Sequence, residues 1–99
     1  MGGRMVETDV KAYLRKMNQQ QWDEYIAGRI SVAAIVENYR SLINLLGYRG
    51  RILEGIRGQN GESVLLMIEN ERPDLRIKSR DAARQRIDQE LAQVRRLLS

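Results

Sequence analysis

Five glycines and three arginines crowd residues 46–62, "LGYRGRILEGIRGQNGE": Gly47, Gly50, Gly55, Gly58 and Gly61, with Arg49, Arg51 and Arg57 between them. Glycine lets backbone N–H groups approach a ligand closely, and arginine supplies fixed positive charge, so phosphate binding is the first chemistry to test. The specific templates fail on nameable residues. A P-loop needs G-x-x-x-x-G-K-[ST] after a strand; "GRILEGIRG" has neither the Lys-Ser/Thr pair nor the strand. The dinucleotide fingerprint fails on glycine spacing. What remains is a net-basic connector whose arginines can reach outward to a polyanion.

Catalysis has few carriers. The chain has no histidine and no cysteine, which removes the commonest general base, the commonest metal ligand, thiolate sites and disulfides. The carboxylates Asp23-Glu24, Glu69-Glu71 and Asp88-Glu90 read as surface residues, and Glu69 and Glu71, two apart, share no helix face. A domain of 99 residues leaves little room for a cleft. No catalytic residue, metal ligand or cofactor site is assigned, and the expectation is a protein that is not an enzyme. The N-terminal "MGGRMVETDV" lacks the apolar core of a signal peptide, and no run approaches the ~20 apolar residues of a membrane span. A soluble, cytoplasmic protein without a membrane partner is expected.

Seventeen basic against thirteen acidic residues give a net charge of +4, which favours an anionic partner. The excess peaks twice: in the glycine-arginine stretch, and around Arg76, Lys78, Arg80, Arg84 and Arg86.

The elements that must position these groups are helical. Thr8 and Asp9 start a first helix carrying Val6, Val10, Tyr13, Leu14 and Met17, with residues 1–5 a flexible N-terminus. Asn18, with Gln21 reaching back, caps a further turn that holds Trp22, Tyr25 and Ile26 and stops at Gly28. One bent helix and two short ones fit equally. From Ser31, an N-cap, the residues Val32, Ile35, Val36, Tyr39, Leu42, Ile43 and Leu46 form one stripe on a continuous helix closed by Gly47. One or two turns follow around Ile52–Ile56, ending at Gly58. Val64–Ile68 suits a buried helix, or a strand pairing with 75–78 as a hairpin; helix is preferred because a lone hairpin is marginal. Pro73 ends it. Ser79 caps a last helix in which Ile87, Leu91, Val94 and Leu98 form a seam widened by Ala83 and Leu97. The fold class is therefore all-α, a single domain of four to five short helices.

Three resemblances attach to these segments. "GIRG" resembles the G-x-x-G loop of KH domains, which implies a clamp on a nucleic-acid backbone, but no strand pairs flank it. "GRISVAAIVENY", within residues 24–46, looks like the first helix of a transposase or regulator helix-turn-helix. On that resemblance Gly28, Ile30, Ser31, Val32, Ile35 and Tyr39 are scaffold positions, Arg40-Ser41-Leu42 the turn, and the recognition helix begins at Ile43. It implies DNA contacts from Asn44, Arg49 and Arg51. "LRKMNQQQWDEYIAG", "MIENE" and "RQRIDQELAQVRRLL" are similar to segments of small all-helical flagellar export chaperones. That implies a substrate-binding bundle involving Trp22, Asp23, Asn70 and the Ile87–Leu98 seam.

The expected function is a small regulatory or accessory protein that binds DNA or RNA through Asn44, Arg49, Arg51, Arg57, Arg80 and Arg84. The alternative is a helical chaperone or adaptor for an amphipathic segment of a partner protein. Spacing leaves open whether Ile87, Leu91, Val94 and Leu98 serve the core or a homodimer interface.

Overall fold

The computed structural model describes residues 9–99. Val6, Thr8 and the expected flexible segment 1–5 lie outside the described residues. Among the described residues the chain forms seven α-helices and no strand: α1 (Val10–Lys16), α2 (Gln19–Ile26), α3 (Val32–Asn38), α4 (Arg40–Leu46), α5 (Arg49–Gly55), α6 (Gly61–Glu71) and α7 (Arg80–Leu98). The all-α class is as the patterning predicts. The count of four to five is too low, because three segments divide or form where periodicity did not separate them.

Helix starts follow side-chain chemistry. Asp9, Ser31 and Ser79 accept from the backbone N–H groups of Lys11, Ala34 and Ala82. Asn18 with Gln21 and Asn60 with Ser63 make reciprocal capping boxes, so each satisfies two otherwise orphaned donors. Met17, in extended conformation, separates α1 from α2. Gly28 (φ +86°), Gly47 (φ +73°) and Gly58 (φ +72°) take the left-handed conformation in which a side chain is strained.

The C-terminal helix is the spine. Ala83, Ile87, Leu91, Val94 and Leu98 recur every three or four residues, each 0 or 1% exposed. Helices α6 and α3 flank it most closely, α2 and α5 touch it, and α1 lies on α6. Val64, Leu65 and Ile68 from α6, Val32 and Val36 from α3, and Trp22 and Tyr25 from α2 complete the core. Each such side chain contributes ~1.5–3 kcal/mol by leaving water. The seam is thus occupied by the chain's own core. Ile87, Leu91, Val94 and Leu98 present no surface to a second copy in this arrangement.

The hairpin alternative over 64–78 fails. α6 continues to Glu71, and Arg72, before Pro73, leaves helical dihedrals (φ −128°, ψ 64°) as the proline requires. Leu75 then folds under into the core instead of pairing.

α6 and α7 cross closely at Gly61. A Cβ there would fall 2.1 Å from the Arg84 carbonyl oxygen, so glycine is what lets the two backbones meet. Its N–H is taken by the Asp88 carboxylate. Three arginines satisfy the carbonyls of the connections. Arg72 donates to Met17 O at 2.8 Å, Arg86 to Tyr25 O and Ile30 O at 2.8 Å each, and Arg95 to Ile56 O and Gln59 O at 2.9 and 2.7 Å. Three of the seventeen basic residues are therefore turned onto the backbone, holding loops.

Candidate functional site

The expected continuous helix over 31–46 breaks at Tyr39, whose backbone (φ −104°, ψ 11°) leaves the helical well. Asn38 and Tyr39 are adjacent residues of poor helix propensity, and no glycine or proline marks the site. The break redirects the apolar stripe. Before it, Val32 and Val36 are fully buried; after it, Ile43 is the one buried residue of α4. Tyr39 is 40% exposed, Leu42 38%, Leu45 81% and Leu46 51%. Leu42, Leu45 and Leu46 stand at i, i+3 and i+4, neighbours on one helix face, with Tyr39 one turn before. Among the described residues, Leu66 alone of the remaining large apolar side chains is comparably exposed. Arg40, Ser41 and Leu42, the turn implied by the helix-turn-helix resemblance, lie inside α4, with Tyr39 alone as the junction.

The same arm carries charge. Residues 40–57 hold Arg40, Arg49, Arg51 and Arg57 against one acid, Glu54. Asn44 is exposed on α4. Arg49 donates to the Leu98 carbonyl, docking α5 on the end of α7. Arg51 lies 5.5 Å from the centre of the Tyr48 ring, a cation–π contact. Arg57 pairs with Glu54 at 3.4 Å, fully at the surface. Despite Gly50 and Gly55, α5 forms, with Ile52 and Leu53 half-buried and Ile56 just beyond its end in the core.

Arg80 and Arg84 do not join this arm. Arg80 makes paired hydrogen bonds to Glu62 (2.9 and 2.8 Å) and to Glu69 (2.9 and 3.1 Å), tying the start of α7 to α6. Those bonds raise the guanidinium above its ordinary value and hold the Glu62 carboxyl below its own. Arg84 bonds Asp81 and lies 3.9 Å from Asp88. Where the sequence suggested a free basic stripe, Arg80 is a cross-link from α7 to α6 and Arg84 pairs with acids of its own helix.

Sequence reasoning missed Glu90. Read as a surface acid, it is 0% exposed. It accepts from Val32 N (3.1 Å), Ala33 N (2.6 Å) and the Ser31 hydroxyl (3.2 Å), so an α7 carboxylate caps the first turn of α3. It also pairs with Arg86, one turn earlier on α7, at 3.4 Å in a buried setting. Arg86 also stacks 4.4 Å from the Tyr25 ring centre. Burial, then the neighbouring Glu90 carboxylate, push the Tyr25 phenol far above its ordinary value. The signal was there: Glu90 lies three residues after Ile87 and four before Val94, on the seam itself. The network fixes α3 on the spine, and α3 in turn sets where α4 emerges.

No set of three or more acids among the described residues is grouped to hold a metal ion, and no helix there is long and apolar enough to cross a membrane. Comparison with protein-family models, with curated proteins and with solved structures finds no match to this chain.

Proposed function

We propose that this chain is a non-enzymatic adaptor that captures an acidic amphipathic segment of a partner protein on the apolar face of α4. The observation that carries this reading is the gathering of Leu42, Leu45 and Leu46 on one short helix with Tyr39 just before it, Leu66 being the one other large apolar side chain comparably exposed among the described residues. Each leucine left in water forgoes part of the ~1.5–3 kcal/mol that burial would contribute, and a partner's apolar face can supply it. Charge selects the partner. Four arginines against one glutamate over residues 40–57 complement acidic residues. A second copy of this chain fits poorly, because a two-fold contact through this patch would set those arginines against themselves.

The test is a fluorescence-anisotropy titration with a synthetic amphipathic helix bearing leucine on one face and glutamate on the other. Binding is expected, with weaker binding of the lysine-for-glutamate counterpart. Binding of duplex DNA or RNA that falls steeply with salt, and disappears when Arg49, Arg51 and Arg57 become glutamine, would replace this reading with the polyanion one.

A further inference from the structure

Val32, Ile35, Val36, Tyr39, Leu42, Ile43 and Leu46 keep the period of one straight helix, yet the helix is interrupted at Tyr39. The interruption is small in dihedral terms. Tyr39, at φ −104° and ψ 11°, stands about 40° in φ and about 50° in ψ from the helical well. Its N–H still reaches Ile35 O at 3.1 Å, and its carbonyl accepts from Ile43 N at 2.8 Å. What is lost is the run between them. The N–H groups of Arg40, Ser41 and Leu42 have no protein acceptor among the described residues, and α4 begins without a side-chain cap. A continuous helix would give them the carbonyls of Val36, Glu37 and Asn38, four residues back. Side chains cap α1, α2, α3, α6 and α7. α5 also lacks a cap, but there Gly47, at φ +73°, marks the break. At Tyr39 no local signal does. Tertiary contacts hold the bend instead: Ile43 is 4% exposed, Tyr48, Ile52 and Leu53 rest half-buried on the core, and Arg49 donates to the Leu98 carbonyl. The arm itself is weakly built. α5 has no buried residue and carries Gly50 and Gly55, each with open space where a Cβ would stand. Its far end stays anchored by Ile56 in the core and by Arg95 on Ile56 O and Gln59 O.

We propose that α3 and α4 form a two-state element, and that the acidic amphipathic segment docking on α4 selects its straight form. The partner's part in this rests on the docking reading above. In the straight form residues 32–46 are one helix, the three unpaired N–H groups are satisfied, and α4 leaves its present seat with Ile43. Tyr39, Leu42, Ile43 and Leu46 then meet the partner at i, i+3, i+4 and i+7, the spacing of anchors on one helix face. The bent form, with Ile43 in the core, is the resting one. The partner shifts the balance because the four-residue stripe is complete only in the straight form.

The experiment is amide hydrogen exchange by two-dimensional NMR on the full chain, free and saturated with the glutamate-leucine peptide. In the free chain the amides of Arg40, Ser41 and Leu42 should exchange at least ~tenfold faster than that of Ile43, and the peptide should slow them by at least ~tenfold. Burial under a peptide alone could slow exchange, so the HN–Hα coupling of Tyr39 is read as well. It should fall to the helical value as φ moves from −104° toward about −63°. Fast exchange and an unchanged coupling in the saturated complex overturn the switch and leave the docking reading standing. No peptide binding at all removes the docking reading and overturns the partner's role. The two states are then judged in the free chain by the Ile43→Ser, Arg49→Gln double variant, which releases the arm without a partner. Slowed exchange at residues 40–42 with a helical Tyr39 coupling supports them, and fast exchange with the wild-type coupling overturns them. Should the double variant fail to fold, Arg49→Gln alone, which leaves the core intact, should move both readouts the same way by a smaller factor; no movement in either overturns the proposal.

Discussion

Replacing Glu90 by leucine should destabilise the fold more than any surface change. The side chain is 0% exposed and holds two backbone N–H groups, the Ser31 hydroxyl and the Arg86 guanidinium. Leucine fills a similar volume but accepts no hydrogen bond. Leaving Val32 N and Ala33 N without acceptors costs ~1–3 kcal/mol each. Breaking a buried pair by removing one partner costs ~3–5 kcal/mol. These losses overlap, so ~3–5 kcal/mol is expected in all. Arg86 retains its bonds to the Tyr25 and Ile30 carbonyls, which keeps the loss from growing further. With a urea slope of ~1.5 kcal/mol/M, the midpoint followed by circular dichroism should fall by ~2–3 M. That consumes much of the ~5–15 kcal/mol typical of a domain. Glu90→Gln, which keeps one acceptor, should lose less than half as much. A Glu90→Leu midpoint within ~0.7 M of wild type, or ~1 kcal/mol at that slope, would refute the view that this carboxylate holds α3 on the spine.

Glycines at two positions should respond with opposite signs. Gly61→Ala drives a Cβ into the Arg84 carbonyl oxygen and should destabilise by ~1–3 kcal/mol, whereas Gly50→Ala, with open space around it inside α5, should stabilise by up to ~1 kcal/mol; urea unfolding of both variants checks the pair. The Glu62 carboxyl is held below its ordinary 4.5 by Arg80, so its contribution is present above that pH and lost as pH falls through the lower folded value. Stability should therefore drop below about pH 4.5, and Glu62→Gln should flatten that drop in midpoints measured between pH 6 and pH 3. Tyr25 moves the other way. Its phenol is raised above the ordinary 10.0, so its contribution is complete below that pH and fades above it. Tyr25→Phe should reduce the loss of stability seen between pH 9 and pH 11.5 by thermal or urea melts.

The parts of the fold written in local chemistry were legible. Asn18 with Gln21, Ser31 and Ser79 announced helix starts, Gly28 and Gly47 announced ends, and the 87–91–94–98 spacing announced the spine. What was not legible depends on tertiary contact. Val32 to Leu46 keeps an unbroken apolar period, so the sequence does not say that the helix is interrupted at Tyr39 and that Leu42, Leu45 and Leu46 beyond it are left exposed. Arginines look alike in a linear count, yet Arg72, Arg86 and Arg95 serve loop carbonyls, Arg80 and Arg84 serve neighbouring acids, and Arg40 and Arg96 are exposed. Glu90 was discounted because carboxylates are rarely buried unless paired; its place on the apolar seam was the clue, and its partners on α3 lie nearly sixty residues away.

The central claim is that the leucine face of α4 is a docking surface and not misplaced core. It is tested most directly by the affinity of the glutamate-leucine amphipathic peptide for wild type and for the combined Leu42→Ser, Leu45→Ser, Leu46→Ser variant. Because these side chains are 38 to 81% exposed, the variant should keep its helical signal. Its affinity should fall at least ~100-fold, or about 2.8 kcal/mol shared over three leucines. Peptide affinity unchanged in a folded variant would contradict the account.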